Sequence, residues 1–157
     1  MKRASWKQYT FWILLTEAVG ALSGWLTREG VKVYLAQAVK PPLTPPALVF
    51  PIVWTGLFAL MGAGAARVWA APRSPRRSRA LLWFWAQLAV NFSWNLLFFN
   101  VQAFGAAPLL LGVLWLLILG MIRSFHRVDR TAAWLQVPYL LWAAFAGCLC
   151  WGVWRLN

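Results

Sequence analysis

The chain has 157 residues, of which 62% are hydrophobic and 11% are charged. This composition excludes an ordinary water-soluble domain and predicts an integral membrane protein. The formal net charge is +12, from fifteen Lys and Arg against three acidic residues. Because the basic residues fall between apolar runs and do not line one exposed face, they favour contact with anionic lipid headgroups over nucleic acid binding.

The apolar runs predict five membrane spans, since crossing the hydrocarbon takes about 20 apolar residues. Spans 1 to 5 lie at roughly 9–26, 46–71, 80–100, 106–125 and 132–154. One long loop covers roughly 27–45, and the other connections are short. The sequence therefore predicts an all-α integral membrane protein in which residues 1–157 form one domain, a single bundle of five transmembrane helices.

The start of the chain also resembles a secretory signal peptide, with a basic head, an apolar middle and an Ala-x-Ser sequence at 21–23. Glu17 interrupts the apolar middle, and four more spans follow. We therefore expect this segment to be retained as the first membrane helix.

The Lys and Arg residues divide unequally between the two ends of the predicted bundle. Eleven lie on one side and four on the other, the four being Arg28, Lys32, Lys40 and Arg155. The positive-inside rule then places the N-terminus in the cytoplasm and the long loop outside. This orientation is the one expected in a plasma membrane of bacterial type.

Small residues recur four apart in three spans, a spacing that lets helix backbones approach closely in lipid. These residues are Gly20 and Gly24 in span 1, Gly62 and Ala66 in span 2, and Ala144, Cys148 and Gly152 in span 5. They predict one tight bundle, although any of these ridges could instead serve a homodimer.

Polar side chains inside the spans need partners, because hydrocarbon offers none. Gln87, Asn91 and Asn95 lie at i, i+4 and i+8 of span 3 and so share one face, which we expect to point inward. Hydrogen bonding between helices is one interpretation, and a polar contact from Asn91 to a ligand is another. Glu17, the only acid inside a span, is either a functional group or the partner of Arg67, which lies at a similar depth.

Most of the thirteen tryptophans lie near predicted helix ends and are typical of an interfacial belt. Trp54, Trp94 and Trp142 lie deeper, roughly 9 to 18 Å below the outer surface at about 1.5 Å per residue. Phe58 follows Trp54 at i+4 and extends its face. Such a stripe alone is typical of helix packing, but three deep tryptophans beside an amide face favour a flat aromatic ligand held between helices.

The sequence lacks the motifs of conventional hydrolysis or group transfer, such as a Ser-His-Asp set, paired carboxylates or a phosphate-binding loop. Cys148 and Cys150 lie at i and i+2 of a helix and point to different faces, so neither a disulfide nor a metal pair is expected. His126 has no ligand set arranged around it. No metal site is predicted.

Three segments together resemble a known membrane family. They are KPPLTPPALVFPIVWTGLFALMG at 40–62, QLAVNFSWNLLFF at 87–99 and PYLLWAAFAGCLCWGVWRLN at 138–157. They resemble the signature regions of the translocator protein family, also called tryptophan-rich sensory protein or peripheral benzodiazepine receptor. The resemblance implies a five-helix bundle, commonly a homodimer, that binds porphyrins and, in some members, sterols and synthetic benzodiazepine or isoquinoline ligands under the first loop.

The resemblance also implies a ligand site and a loop that caps it. The implied ligand-binding residues, with Phe58 added from the aromatic face, are Tyr34, Trp54, Phe58, Asn91, Trp94, Trp142 and Ala146. The cap consists of Lys40, Pro41, Pro42, Leu43, Pro45 and Pro46, with Leu43 where the family usually has Trp. The prolines restrict how this loop enters span 2: we expect residues 40–45 to stay extended and Pro46 to start the helix.

Three functions follow as hypotheses. The first is a membrane receptor or carrier for porphyrin-type tetrapyrroles that requires no cofactor, with Arg28, Lys32 or Lys40 facing the propionates. The second is light-dependent oxidative breakdown of protoporphyrin at Trp54 and Trp142, and the third is a regulatory or scaffold role through a partner protein. Sterol binding is not expected, because Trp151 stands where sterol-binding members carry Tyr.

Overall fold

The computed structural model describes residues 3–157, and this part of the chain is helical without strands. The helices are α1 (Trp6–Leu26), α2 (Arg28–Gln37), α3 (Val49–Ala70), α4 (Pro75–Asn95), a π-helix (Leu96–Asn100), α5 (Ala107–His126), α6 (Arg130–Trp134) and α7 (Val137–Leu156). Among the long helices, α1 packs mainly against α3, α4 against α5, and α5 against α7. The predicted all-α class is confirmed.

Three helical segments within residues 3–157 are long and apolar enough to cross a membrane: Val49–Ala70, Ala107–His126 and the combined stretch Arg130–Leu156. Helices α1 and α4 each have 21 residues but are more polar. Glu17 lies in α1, and α4 opens with three arginines and carries the amides. Five membrane crossings therefore remain a prediction.

Polar caps set several helix starts outside the apolar runs. At α1, Ser5 Oγ accepts from the Gln8 amide at 3.2 Å, while Gln8 Oε1 accepts from the Ser5 amide at 2.9 Å. At α4, the Ser74 Oγ accepts from the Arg77 amide at 3.1 Å. Such caps satisfy first-turn N–H groups that have no partner within the helix. Both helices consequently begin before the predicted positions.

The predicted loop 27–45 is wrong over most of its length, because Arg28–Gln37 forms helix α2. The Thr27 hydroxyl donates to the Ser23 carbonyl at 2.8 Å, where the chain turns from α1 into α2. A Cβ at Gly30 would collide with the carbonyl of Phe99, so glycine allows α2 to lie directly on the π-helix. Residues 40–45 do not stay extended as predicted, because a turn closes with the Thr44 amide donating to the Pro41 carbonyl at 3.1 Å, and helix α3 begins at Val49 and not at Pro46.

The fifth predicted span is divided into α6 and α7 around Gln136. Pro138 lies in the first turn of α7, where its missing N–H is tolerated, but that missing N–H cannot bond to the Trp134 carbonyl as a continuous helix would require, which explains the break. The buried Gln136 side chain donates from Nε2 to the Leu60 carbonyl at 3.0 Å. The break therefore supplies a polar contact to α3, although Gln136 Oε1 is buried and has no hydrogen-bond partner within residues 3–157.

The crossing of α1 and α3 depends on small residues. A Cβ at Gly62 would lie 2.5 Å from Ile13 Cα, and one at Gly20 would lie 2.6 Å from the Phe58 ring. The Thr16 hydroxyl donates across the same interface to the Phe58 carbonyl at 2.7 Å. Gly24, by contrast, has nothing within 4 Å of its Cβ position. Only one glycine of the span 1 pair thus serves this contact.

Candidate functional site

Aromatic side chains of α3 and α7 form a ladder between the two helices. The rings of Phe50 and Trp142 lie 5.8 Å apart, and those of Trp54 and Tyr139 lie 6.1 Å apart, both in edge arrangements. The residue numbers rise along α3 as they fall along α7, which is the register of antiparallel helices. Phe58 extends the ladder, at 5.7 Å from Trp54. We call Phe50, Trp54, Tyr139 and Trp142 the aromatic ladder.

Tyr139 connects this ladder to the amide face of α4. Its hydroxyl accepts from Asn91 Nδ2 at 2.7 Å and donates to Gln87 Oε1 at 2.7 Å. Gln87, Asn91 and Tyr139 are all buried, at 0%, 2% and 0% exposure. The inward orientation of these two amides and their role in hydrogen bonding between helices are confirmed. The third predicted amide, Asn95, is only partly buried and donates to the Asn91 carbonyl of its own helix at 3.5 Å.

Sequence reasoning did not identify Tyr139 as a member of the site. The signal was present, since Tyr139 precedes Trp142 by one helical turn. Together with Gln136, it is one of the few strongly hydrogen-bonding side chains in a mostly apolar span. Only the helix register shows that it meets the amides.

A second aromatic group lies beneath α2. Tyr34 contacts Phe98 at 5.2 Å and Phe99 at 5.5 Å between ring centroids, and Trp94 stacks on Phe98 at 5.2 Å. Burial raises the pKa of the Tyr34 phenol, with Cys150 as a smaller cause. The phenol therefore stays protonated at neutral pH. Tyr34 and Trp94 are thus grouped with each other rather than with Trp54 and Trp142.

The predicted cap is attached to the C-terminal end of α7. Pro41 packs on Gly152, where a Cβ would lie 2.5 Å from Pro41 Cγ. The Asn157 side chain pairs with the Val39 backbone, accepting from its amide at 3.0 Å and donating to its carbonyl at 2.8 Å. Leu43 is 79% exposed. The cap therefore lies at the end of the bundle where α3 begins.

The remaining predicted site residues vary in burial. Ala146, one turn beyond Trp142, is buried, as are Phe58, Asn91 and Trp94. Pro42 and Pro46 are exposed, whereas Lys40 and Pro45 are partly buried.

The cations proposed for the mouth of the site make local contacts. Lys40 Nζ donates to the Leu35 and Ala38 carbonyls, both at 3.1 Å, and lies 5.1 Å from the Tyr34 ring. Arg28 stacks on Trp25 at 4.3 Å, and Lys32 pairs with Glu29 at 3.3 Å. Of these three cations only Lys32 contacts an anion among residues 3–157, and that ion pair is exposed and contributes little to stability.

The predicted pairing of Glu17 with Arg67 is wrong. Arg67 Nε lies 3.1 Å from Asp129 Oδ1, and Arg67 Nη1 donates to the Tyr9 hydroxyl at 3.2 Å. Tyr9 precedes Glu17 by about two helical turns, or roughly 12 Å along α1. Depth by residue count therefore misplaced Arg67, which reaches the start of α6.

Two surface grooves lie away from the predicted residues. One, of about 520 Å³, runs along the apolar outer side of α1 beside Leu14 and Ala18. The other, of about 420 Å³, lies between the end of α5 and the start of α7. Within residues 3–157, no group of three or more His, Cys, Asp or Glu side chains could hold a metal ion.

Comparison with known proteins gives a consistent set of relatives. The sequence model of the TspO/MBR family matches residues 12–155. The chain is 34% identical to "Tryptophan-rich protein TspO" of Chlorobaculum tepidum, covering 89% of each chain, and 33% identical to "Translocator protein" of Bos taurus, covering 97% of this chain and 91% of the relative. It is 38% identical to "Protein CrtK" of Rhodobacter capsulatus over 75% of this chain and 74% of the relative. These matches confirm the resemblance found from the sequence.

Proposed function

The chain belongs to the TspO/MBR family of membrane proteins, and from this premise we propose that it is a membrane receptor or carrier for porphyrin-type tetrapyrroles. The binding surface in this proposal is the aromatic ladder, with the cap directly preceding α3 at the same end of the bundle. Other flat hydrophobic ligands would suit the same surface. No cofactor is required, because the proposed activity is binding.

The aromatic ladder is the observation that carries the proposal. It places Trp54 and Trp142, both only partly buried, on one surface between α3 and α7. Flat conjugated rings stack on such surfaces, and helix interfaces in bundles are common ligand sites.

The indole of Trp142 adds a polar requirement to this surface. Its N–H is buried and has no hydrogen-bond partner within residues 3–157. A buried donor without an acceptor is costly. A carboxylate or a ring nitrogen of a bound tetrapyrrole would supply that acceptor.

Asn91 acts on the ladder through Tyr139 in this proposal. Its amide fixes the Tyr139 hydroxyl at 2.7 Å, and the Tyr139 ring packs on Trp54. Gln87 holds the same hydroxyl from the other side. The network thus preorganises one wall of the proposed site.

Membrane orientation and assembly form part of the same proposal. The end of the bundle that carries Arg67, Arg123 and Arg127 would face the cytoplasm, as the positive-inside rule requires. The cap would then face the opposite compartment. A homodimer in a bacterial plasma membrane is the expected assembly, with exposed apolar helix faces such as that of α1 available for contact.

Titration of the purified protein with protoporphyrin tests the site. We expect a Trp54→Ala, Trp142→Ala double variant to bind at least tenfold more weakly, measured by the shift of the porphyrin absorption band. A Trp6→Ala, Trp151→Ala variant is the matched control, because both of these indoles are exposed, at 72% and 53%. Unchanged affinity in the first variant would overturn the proposed site.

Illumination of the same samples separates binding from oxidative breakdown of the porphyrin, since only breakdown removes the porphyrin absorption band.

A further inference from the structure

A basic groove lies where α5 ends and α7 begins, far from the cap. Its polar side is formed by Arg123, His126 and Arg127, and its apolar side includes Ile122 and Val137. The volume is about 420 Å³. We refer to these residues and Trp134 as the basic groove.

The cations of the basic groove have no carboxylate partner within residues 3–157, where the only ion pairs are Lys32 with Glu29 and Arg67 with Asp129. Asp129, the acid nearest in sequence, is already engaged. It contacts Arg67 Nε at 3.1 Å and accepts from the Ala132 amide at 2.9 Å. The groove therefore carries positive charge that the protein does not neutralise.

The position of the groove defines the chemistry of its occupant. It lies at the end of α5 and beside Trp134, whose side chain is 69% exposed. An exposed tryptophan at the end of a membrane helix is typical of the boundary between hydrocarbon and headgroups. Cations next to an apolar surface at this boundary can contact the phosphate and the acyl chains of one lipid at the same time. A free anion would contact only the cations and would leave the apolar surface uncovered.

We propose that the basic groove binds the headgroup of an anionic phospholipid. Arg123 and Arg127 contact the phosphate, which planar guanidinium groups bind in a bidentate manner. The acyl chains lie along Ile122 and Val137. This site is independent of the tetrapyrrole site, so either can fail without the other.

Lipid-depleted protein in a neutral detergent provides the test. Short-chain phosphatidylglycerol, short-chain phosphatidylcholine and inorganic phosphate are each titrated, and thermal unfolding and retained lipid by native mass spectrometry are measured. We expect phosphatidylglycerol alone to raise the unfolding temperature of the wild type. An Arg123→Gln, Arg127→Gln variant should bind it about thirtyfold more weakly, from the usual contribution of a basic residue near an anionic surface.

The matched control is Arg73→Gln, Arg76→Gln, which removes the same charge from exposed positions at the same end of the bundle. It should bind phosphatidylglycerol as the wild type does. An equal loss in both variants would reduce the effect to net charge and overturn the site. An equal effect of inorganic phosphate or phosphatidylcholine would also overturn it, the first by assigning a free anion and the second by removing the charge requirement.

Two further variants keep the test decisive if removal of both arginines impairs folding. Arg123→Lys, Arg127→Lys retains the charge and should retain part of the binding. Ile122→Ser leaves the cations intact and should weaken phosphatidylglycerol binding through the apolar wall. Wild-type affinity in Ile122→Ser would contradict the proposed path of the acyl chains.

Discussion

Tyr139 and Asn91 are joined by a 2.7 Å hydrogen bond from the Asn91 amide to the Tyr139 hydroxyl. The bond connects α4 to α7 in the interior, where neither side chain reaches solvent. The same hydroxyl donates to Gln87. Removal of that one oxygen therefore leaves two buried amide groups without their partner.

Tyr139→Phe should lower stability by about 1 kcal/mol, the upper part of the range measured for hydrogen bonds between membrane helices. The check is reversible unfolding of the purified protein in mixed micelles. Ser93→Ala is the control, because its hydroxyl is exposed and bonds only within α4, to the Ala89 carbonyl. In a double-mutant cycle with Asn91→Leu, the two losses should add to more than the loss in the double variant. Strict additivity would contradict the coupling.

Gly62→Ala and Gly24→Ala should change stability in opposite directions. At Gly62 the new methyl group would overlap Ile13, so overpacking should cost about 1 to 3 kcal/mol. At Gly24 no atom lies within 4 Å, and the gain in helix propensity of up to about 1 kcal/mol should remain. Thermal unfolding of the two variants under identical conditions measures the difference. A similar loss in both would contradict the observed crossing of α1 and α3.

Asp129 combines two roles that different substitutions separate. Asp129→Asn keeps a side-chain oxygen that can accept from the Ala132 amide but removes the charge facing Arg67. Asp129→Ala removes both, so it should be less stable than Asp129→Asn by about 1 kcal/mol, the usual value of a helix cap. The ion pair itself should contribute less than about 1 kcal/mol, since the Arg67 side chain is 31% exposed.

Glu17→Gln is the companion variant for the corrected pairing. Because Arg67 pairs with Asp129, we expect no loss of stability when the Glu17 charge is removed. The same unfolding assay provides the check. A loss of stability equal to that of Asp129→Asn would support a contact between Glu17 and Arg67 and contradict the observed pairing.

Asn157→Ala should loosen the cap without unfolding the bundle. The variant loses both hydrogen bonds to the Val39 backbone, so amide hydrogen exchange should accelerate across residues 38–48. Asn100→Ala provides the comparison, because Asn100 donates to the Leu26 carbonyl in another connection. Exchange in the cap should stay at the wild-type rate there. Equal acceleration of hydrogen exchange across residues 38–48 in the two variants would contradict a specific role of Asn157 in holding the cap.

Residue spacing predicted the features that depend on one helix alone. The amides at 87 and 91 share a face by periodicity, and the cost of a bare amide in hydrocarbon orients that face inward. The partner of these amides was not predictable in the same way. Tyr139 is selected by the register of α7 against α4, which no local pattern encodes.

The remaining errors have physical causes of a similar kind. Helix α2 was not predicted, because apolar runs do not reveal a polar, exposed helix such as Arg28–Gln37. Arg67 was paired with Glu17 from depth alone. A long side chain near a helix end can reach several neighbouring helices, and depth does not decide which of them it contacts. Pro138 was a readable signal, and it accounts for the division of the last span.

The contact between Val39 and Asn157 can form only late in protein synthesis. The two residues are 118 positions apart in the chain. Because a protein is made from its N-terminus, the cap emerges long before its anchor on α7 exists. The aromatic ladder, which needs Tyr139 and Trp142, is completed in the same late interval. A nascent chain therefore has neither an anchored cap nor a complete aromatic ladder until α7 is in place, so the proposed ligand site would also form only at that stage.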